Sequence, residues 1–375
     1  MISNEGSARM STERRLEAIY NASAVRKRAF ILVTALLLLI ATLISVSVGA
    51  VDIPFTDTIR VFFHALLPNH TAGPTHEWYS NIILNGRLSR VILCAVCGFS
   101  LAVSGAVMQN ILRNPLVSPF TLGISSAASF GAAMAIVFGG GVTGAIVIFG
   151  HDFFFKSLLT AGLAFITSLG SIVLVMVLSR RRDISRSTII LTGVIISYLF
   201  QAGVSAAKYF SSDDALREIT LWLMGGMWNA SWGVVYLVLA IVPVCALMIE
   251  FHSMKVNILG AGDEVAMNLG IDVRRLRTVL LLLCTVMTSV CIAFTGIIGF
   301  VGLVAPHVTR MFIGNDSRYL FPASGLLGAL VLVVSDTVAR IIIRPEEIPV
   351  GIIMYVIGGL FFVWMVTRRR KEVTM

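Results

Sequence analysis

The chain has 375 residues, 57% of them hydrophobic and 13% charged, with 29 basic against 20 acidic side chains. A soluble domain carries about a quarter charged residues, so this composition excludes a water-soluble fold, a disordered chain and a disulfide-stapled secreted module. A bilayer is the solvent that fits it, and the basic excess points to cytoplasmic loops of a membrane protein rather than to nucleic acid.

A membrane helix needs roughly 20 mostly apolar residues. In chain order the sequence predicts ten: 29–50, 83–107, 117–138, 156–179, 188–207, 233–250, 277–296, 297–312, 319–341 and 348–367. A basic leader, 1–28, precedes them and is expected on the anionic inner leaflet. The first run has 22 apolar residues, beyond the roughly 7–15 of a signal-peptide core, so it is read as a span and not as a cleaved signal. Gly139–Gly144 and the apolar residues up to Phe155 are expected to form a loop dipping toward the bilayer. The block 277–312 is too long for one helix, and Thr295-Gly296 and Gly299 offer the break.

Ten spans put both termini on one side. With that side inside, 21 of the 29 basic residues lie inside, and only Arg60, Arg87, Arg90, Lys156, Lys208, Arg217, Arg340 and Arg344 remain outside. This asymmetry predicts both termini in the cytoplasm. The expected class is an all-α polytopic membrane protein with one transmembrane domain over 29–375.

The sequence has no G-x-x-x-x-G-K-[ST] loop to hold nucleotide, no H-E-x-x-H, and no G-x-S-x-G. Cys94-x-x-Cys97 has redox spacing but lies in an apolar helix, where packing is the expected role. A transport subunit that is not an enzyme and binds no cofactor or metal itself is therefore expected.

Several segments are more specific than connectors. Asn114-Pro115-Leu116 makes a stiff corner, because Pro115 pushes Asn114 out of the helical region. The loop 260–277 is expected to hold two short helices, the first capped by Asp263 with Glu264 in its first turn and ended by Gly270, the second capped by Asp272. It reads either as a connector resting on lipid or as a docking surface. Gly193, Ser197, Gln201 and Ser205 fall four apart, so they share one face of the fifth span, as a pore lining or a helix contact. Pro306 frees a backbone carbonyl inside the membrane that another group must satisfy. His307 beside it is a proton relay or a packing residue.

Arg87-Leu88-Ser89-Arg90, Ser104-Gly105-Ala106-Val107-Met108-Gln109, Asn114-Pro115-Leu116 and Gly299-Phe300-Val301-Gly302-Leu303-Val304-Ala305-Pro306-His307 occur in that order. Together they resemble the permeases of bacterial type II ABC importers for iron–siderophore complexes, haem and vitamin B12. Ala266-x-x-Leu269-Gly270 is similar to that family's coupling segment. Ser89, where the family often has proline, and the long leader depart from the pattern.

The resemblance covers residues 30–370 and implies ten helices with an inverted repeat of the second-to-fifth and seventh-to-tenth. It implies a second permease subunit, like or unlike this one, two ATPase subunits holding ATP and Mg, and a solute-binding protein outside. Asp263, Glu264, Ala266, Leu269 and Gly270 would couple to the ATPases. Asn114, Pro115 and Leu116 would form a cytoplasmic gate. Gly193, Ser197, Gln201 and Ser205 would line the path, and Gly299, Gly302, Pro306 and His307 would break a helix. Arg87, Arg90 and Arg340 would meet carboxylates of the binding protein, or else snorkel to lipid headgroups. The expected cargo is an iron–siderophore complex, with vitamin B12 or haem as alternatives. A proton- or sodium-driven transporter would need a buried carboxylate, and Asp336 is the candidate. Asp336 and Arg340, at i and i+4, read better as an ion pair.

Overall fold

Apolar runs of this length leave no water to satisfy the backbone, so each must close its own hydrogen bonds as a helix. The computed structural model describes residues 2–49, 51–67, 73, 75–148, 151–180 and 186–372. Arg181 and Arg182, counted among the inside charges, and the side chains of 2–23 and 368–372 lie outside the described residues.

The helices in chain order are α1 (Ile2–Ser47), α2 (Phe55–Leu66), α3 (Trp78–Leu112), α4 (Ile124–Phe138), α5 (Phe155–Arg180), α6 (Arg186–Phe210), α7 (Asp213–Met224) and α8 (Trp232–Phe251). They continue as α9 (Ser253–Ala261), α10 (Asp263–Asn268), α11 (Val273–Thr295), α12 (Val301–Ile313), α13 (Ser317–Ile341) and α14 (Val350–Glu372). Among the described residues eight helices are long and apolar enough to cross a membrane, and the shorter apolar α4 and α12 supply the other two expected spans. We name the two faces of the bundle after the short helices that mark them, the α2 end and the α10 end.

In both α3–α6 and α11–α14 the second helix is the short one. Each is entered through an irregular stretch, after Arg113 at φ +48° in the first set and before Val301, with Phe300 at φ +65°, in the second. This parallel fits the expected repeat.

The core is centred on α3, whose Cys94, Cys97, Ala102, Ala106, Val107 and Met108 are fully buried. Glycines allow its neighbours to approach backbone to backbone. A Cβ on Gly98 would lie 2.4 Å from the Gly328 carbonyl oxygen of α13, and one on Gly105 would lie 1.9 Å from that of Gly302 in α12.

Four expectations need correction. Residues 145–154 do not dip back as a loop. Ala145–Ile148 and His151–Phe154 pair as an antiparallel hairpin, β1–β2, in which Phe153 turns into the core and Val147 and Phe154 face out. The leader is no separate element, because α1 runs unbroken from Ile2 through the first span. Asp263 does not cap a helix. Gly262, at φ +149°, takes that place and Asp263 sits in the first turn of α10. The second helix of the loop is no separate surface helix either. It is the start of α11, capped as expected by Asp272, whose carboxylate accepts from the Arg275 N–H at 2.9 Å. Gly270, at φ +78°, ends α10 as expected.

Candidate functional site

At the α10 end, Asp263 joins separate parts of the bundle. Both its oxygens accept from Arg277 Nη2 at 2.8 Å, and Oδ1 also accepts from Arg186 Nη2 at 2.5 Å. Arg277 opens α11 and is buried, and its Nε donates to the Ile111 carbonyl at the end of α3. Arg186 is the first residue of α6. Arg113, beyond α3, donates to the Leu259 carbonyl of α9. One carboxylate thus ties α10 to the starts of α6 and α11. Burial would raise its pKa, but the hydrogen bonds from Arg277 and Arg186 prevail and hold the carboxyl below the ordinary range. The neighbouring residues differ. Ala266 is fully buried, whereas Val265, Met267 and Leu269 are exposed. Sequence reasoning read Asp263 as a helix cap and missed both arginine partners, which lie 14 and 77 positions away.

Asn114, Pro115 and Leu116 form the expected corner. Arg113 adopts the left-handed conformation, and Asn114 Oδ1 accepts from the Leu116 N–H at 2.9 Å.

On α6 the four-residue stripe divides. Gly193 packs on the 121–123 turn, where a Cβ would come within 2.8 Å of Leu122 Cα, and Ser197 Oγ bonds back to the Gly193 carbonyl at 2.8 Å. Gln201 and Ser205 lie on an open face. The contact reading therefore holds for Gly193 and Ser197, while Gln201 and Ser205 are exposed.

The break before α12 spans Gly296 to Phe300. Gly296, at φ +68°, lies so close to the Trp222 carbonyl oxygen that a Cβ would sit 2.1 Å from it. Pro306 removes the N–H that the Gly302 carbonyl would accept. The Gln109 amide of α3 donates to that carbonyl instead, at 3.1 Å. Gln109 in turn accepts from Arg310. Gly299 abuts the Tyr355 ring of α14, and the His307 ring meets Phe361 edge-on at 5.7 Å.

At the α2 end the three arginines expected as exposed docking contacts are inside the protein. The second span was expected from residue 83, but α3 starts at Trp78, which draws Arg87 and Arg90 into the packed part of the helix. A π-helical stretch, Asn81–Leu88, sets the two side chains on different neighbours. Arg87, 6% exposed, donates to the carbonyls of Val46, Ser47 and Val51 where α1 ends. Arg90 pairs with Asp336 at 2.9 Å and with Glu347 at 2.6 Å. Arg340 pairs with Asp336 at 3.0 Å and donates to the Val48 carbonyl and to Ser45. None of the three projects to lipid headgroups. Asp336, fully buried, carries the expected i,i+4 pair with Arg340 and a second arginine besides, so it is no open proton site.

The profile of the FecCD transport family matches residues 37–368. The hemin transport system permease of Yersinia pestis is 36% identical over 338 residues, covering 90% of this chain and 95% of that one. The Fe(3+)-citrate import system permease of Bacillus subtilis is 33% identical, covering 89% and 93%. Vitamin B12 import permeases match as well, at 35% identity over 80% of this chain and 88% of the other for that of Vibrio cholerae. A solved structure described as a metal-chelate type ABC transporter in an inward-facing conformation superposes with a TM-score of 0.76 at 28% identity, covering 91% of this chain and 99% of that one. The chain belongs to the FecCD transport family, the permeases of ABC importers, and is a transport component rather than an enzyme.

Proposed function

We propose that the chain is the permease of an importer for ferric chelates of the siderophore class, with the α10 end in the cytoplasm. The observation that carries the cargo is that relatives named for hemin and Fe(3+)-citrate align over nine tenths of the chain. Two ATPase subunits dock on the exposed Val265, Met267 and Leu269 of α10. Their closure moves α10, and the Asp263–Arg186 pair passes that movement to α6, whose Gln201 and Ser205 face the path. Asn114, Pro115 and Leu116 stand beside this linkage as the gate. A second permease subunit completes the path and a solute-binding protein feeds it from the α2 end, where Arg87, Arg90 and Arg340 shape the mouth. Haem is the second reading, favoured by the Yersinia pestis relative.

The test is uptake into proteoliposomes holding the permease, its ATPase and its binding protein. ATP-dependent accumulation of a labelled ferric siderophore, uncompeted by excess haem or vitamin B12, is the expected result. Accumulation of haem or vitamin B12 with no iron uptake overturns the cargo assignment.

A further inference from the structure

The loop linkage leaves one cavity at the α10 end unexplained. It encloses about 700 Å³ between the end of α3, the segment α9, the last turn of α12 and the start of α13. Arg113, Arg310, Asn114, Asn257 and Asn315 line it. Such a volume suits a small ligand.

Its charge is unbalanced. Among the described residues neither Arg113 nor Arg310 has a carboxylate within ion-pair reach, and their bonds go only to neutral acceptors. Arg310 donates to the Gln109 and Asn110 side-chain oxygens, and Arg113 donates to the Leu259 carbonyl. The two nearest carboxylates are taken. Asp263 is held by Arg186 and Arg277, and Asp316 by Lys27 at 3.3 Å and Arg318 at 2.9 Å. Burial and then the charge of Arg186 press the Arg113 pKa downward, as expected where positive charge outweighs negative. Asn114 adds a donor, because it spends its oxygen on the Leu116 N–H and keeps its NH₂ for a ligand, whereas Asn257 already donates to Asp316 and Asn110 to Ser317. Guanidinium forks and amide donors without a competing acid match a phosphate.

The rim indicates where the phosphate comes from. Met311 and Phe312, beside Arg310, are 53% and 56% exposed, and Phe312 stacks on Phe30 of α1 at 5.4 Å. The cavity, with Met311 in its lining, therefore lies beside exposed apolar surface at the basic end.

We propose that this cavity binds a phosphate headgroup of an anionic lipid from the leaflet on the α10 side. Basic pockets between membrane helices are suited to that ligand. Only the naming of the leaflet as the inner one rests on the orientation proposed above. Binding is read without transport, so failure of the import reading leaves this test intact.

The experiment is native mass spectrometry of the purified, delipidated chain offered phosphatidylglycerol, cardiolipin or phosphatidylcholine. The wild type is expected to retain the anionic lipids at least tenfold better than phosphatidylcholine. Arg310→Gln should erase that preference. Asn315→Asp, at an exposed position that leaves the fold alone, should cut it severalfold by adding a negative charge at the mouth. Displacement by inorganic pyrophosphate at micromolar levels would keep the phosphate site but assign it to a soluble ligand, overturning the lipid source. Displacement by the ATPase subunits alone would make the occupant a partner carboxylate and overturn the proposal. No anionic preference in the wild type, or one unchanged in both variants, overturns it as well.

Discussion

At the α2 end, Arg90 and Arg340 share Asp336 inside the protein, Arg90 also pairs with Glu347, and Arg87 holds the carbonyls at the end of α1. At the α10 end, Arg113, Arg186 and Arg277 gather around Asp263 near the surface. The Asp336 side chain is 1% exposed and that of Asp263 31%. The buried set fastens elements that pack along their lengths, the end of α1, α3 and α13. The open set fastens a six-residue helix that otherwise packs on α9 and on the start of α11. The same residue chemistry therefore serves as a fixed rivet at one end and, in the coupling proposed above, as a lever at the other. The difference is set by what surrounds the carboxylate, not by its partners.

The comparison is sharpest where the rivet is removed. Asp336→Ala leaves Arg340 with uncompensated charge in a dry interior and Arg90 with Glu347 alone, and breaking such a buried pair costs about 3–5 kcal/mol. The expected outcome is a large drop in the thermal midpoint and yield of the purified permease, and a variant as stable as the wild type would break the comparison.

Asp263→Asn should cost less, about 1.5–3 kcal/mol, the range for hydrogen bonds to charged groups, because Arg277 keeps its bond to Ile111 and Arg186 faces water. Its pH dependence follows from the direction of the shift. A carboxyl held below its unfolded value of about 4 contributes fully above that pH and loses its contribution only as pH falls through the lower folded value. Thermal scans should therefore give the wild type and Asp263→Asn a constant difference from pH 8 to 5, shrinking below about pH 4.

Gln109→Leu orphans the Gly302 carbonyl freed by Pro306, at a cost of about 1–3 kcal/mol. Gln109→Glu should recover part of it through Arg310 alone. The smallest effect belongs to Lys156 and Glu218, paired at 2.6 Å with side chains 37% and 42% exposed. Replacing either by Ala should change stability by less than about 1 kcal/mol, and a larger loss would mean that exposure does not grade these pairs.

Much of the fold is legible in the sequence, because apolar run length is a local property and each of the ten runs is long enough to declare itself. The break at Gly296 and the cap at Asp272 are legible for the same reason, since each depends on neighbours within a few residues. What Pro306 needs was legible as a missing donor, but not that Gln109, 193 positions from the carbonyl, supplies it. The arginines misled because a positive residue on the side poor in basic residues reads as exposed, and only the start of α3 at Trp78 shows that it is inside. The hairpin was missed because Ala145–Ile148 is as apolar as a span but four residues long, too short for periodicity to separate strand from helix.

The central claim is that α10 drives α6 through Asp263 and Arg186. The direct measurement pairs Asp263→Cys with Arg186→Cys in the reconstituted importer, where the native cysteines are buried, and compares transport per ATP before and after joining the two thiols with a short bifunctional reagent. The account predicts that the unjoined variant hydrolyses ATP at close to the wild-type rate with transport cut at least tenfold, and that joining restores most of the transport. Wild-type transport in the unjoined variant, or hydrolysis that stays uncoupled after joining, would contradict it.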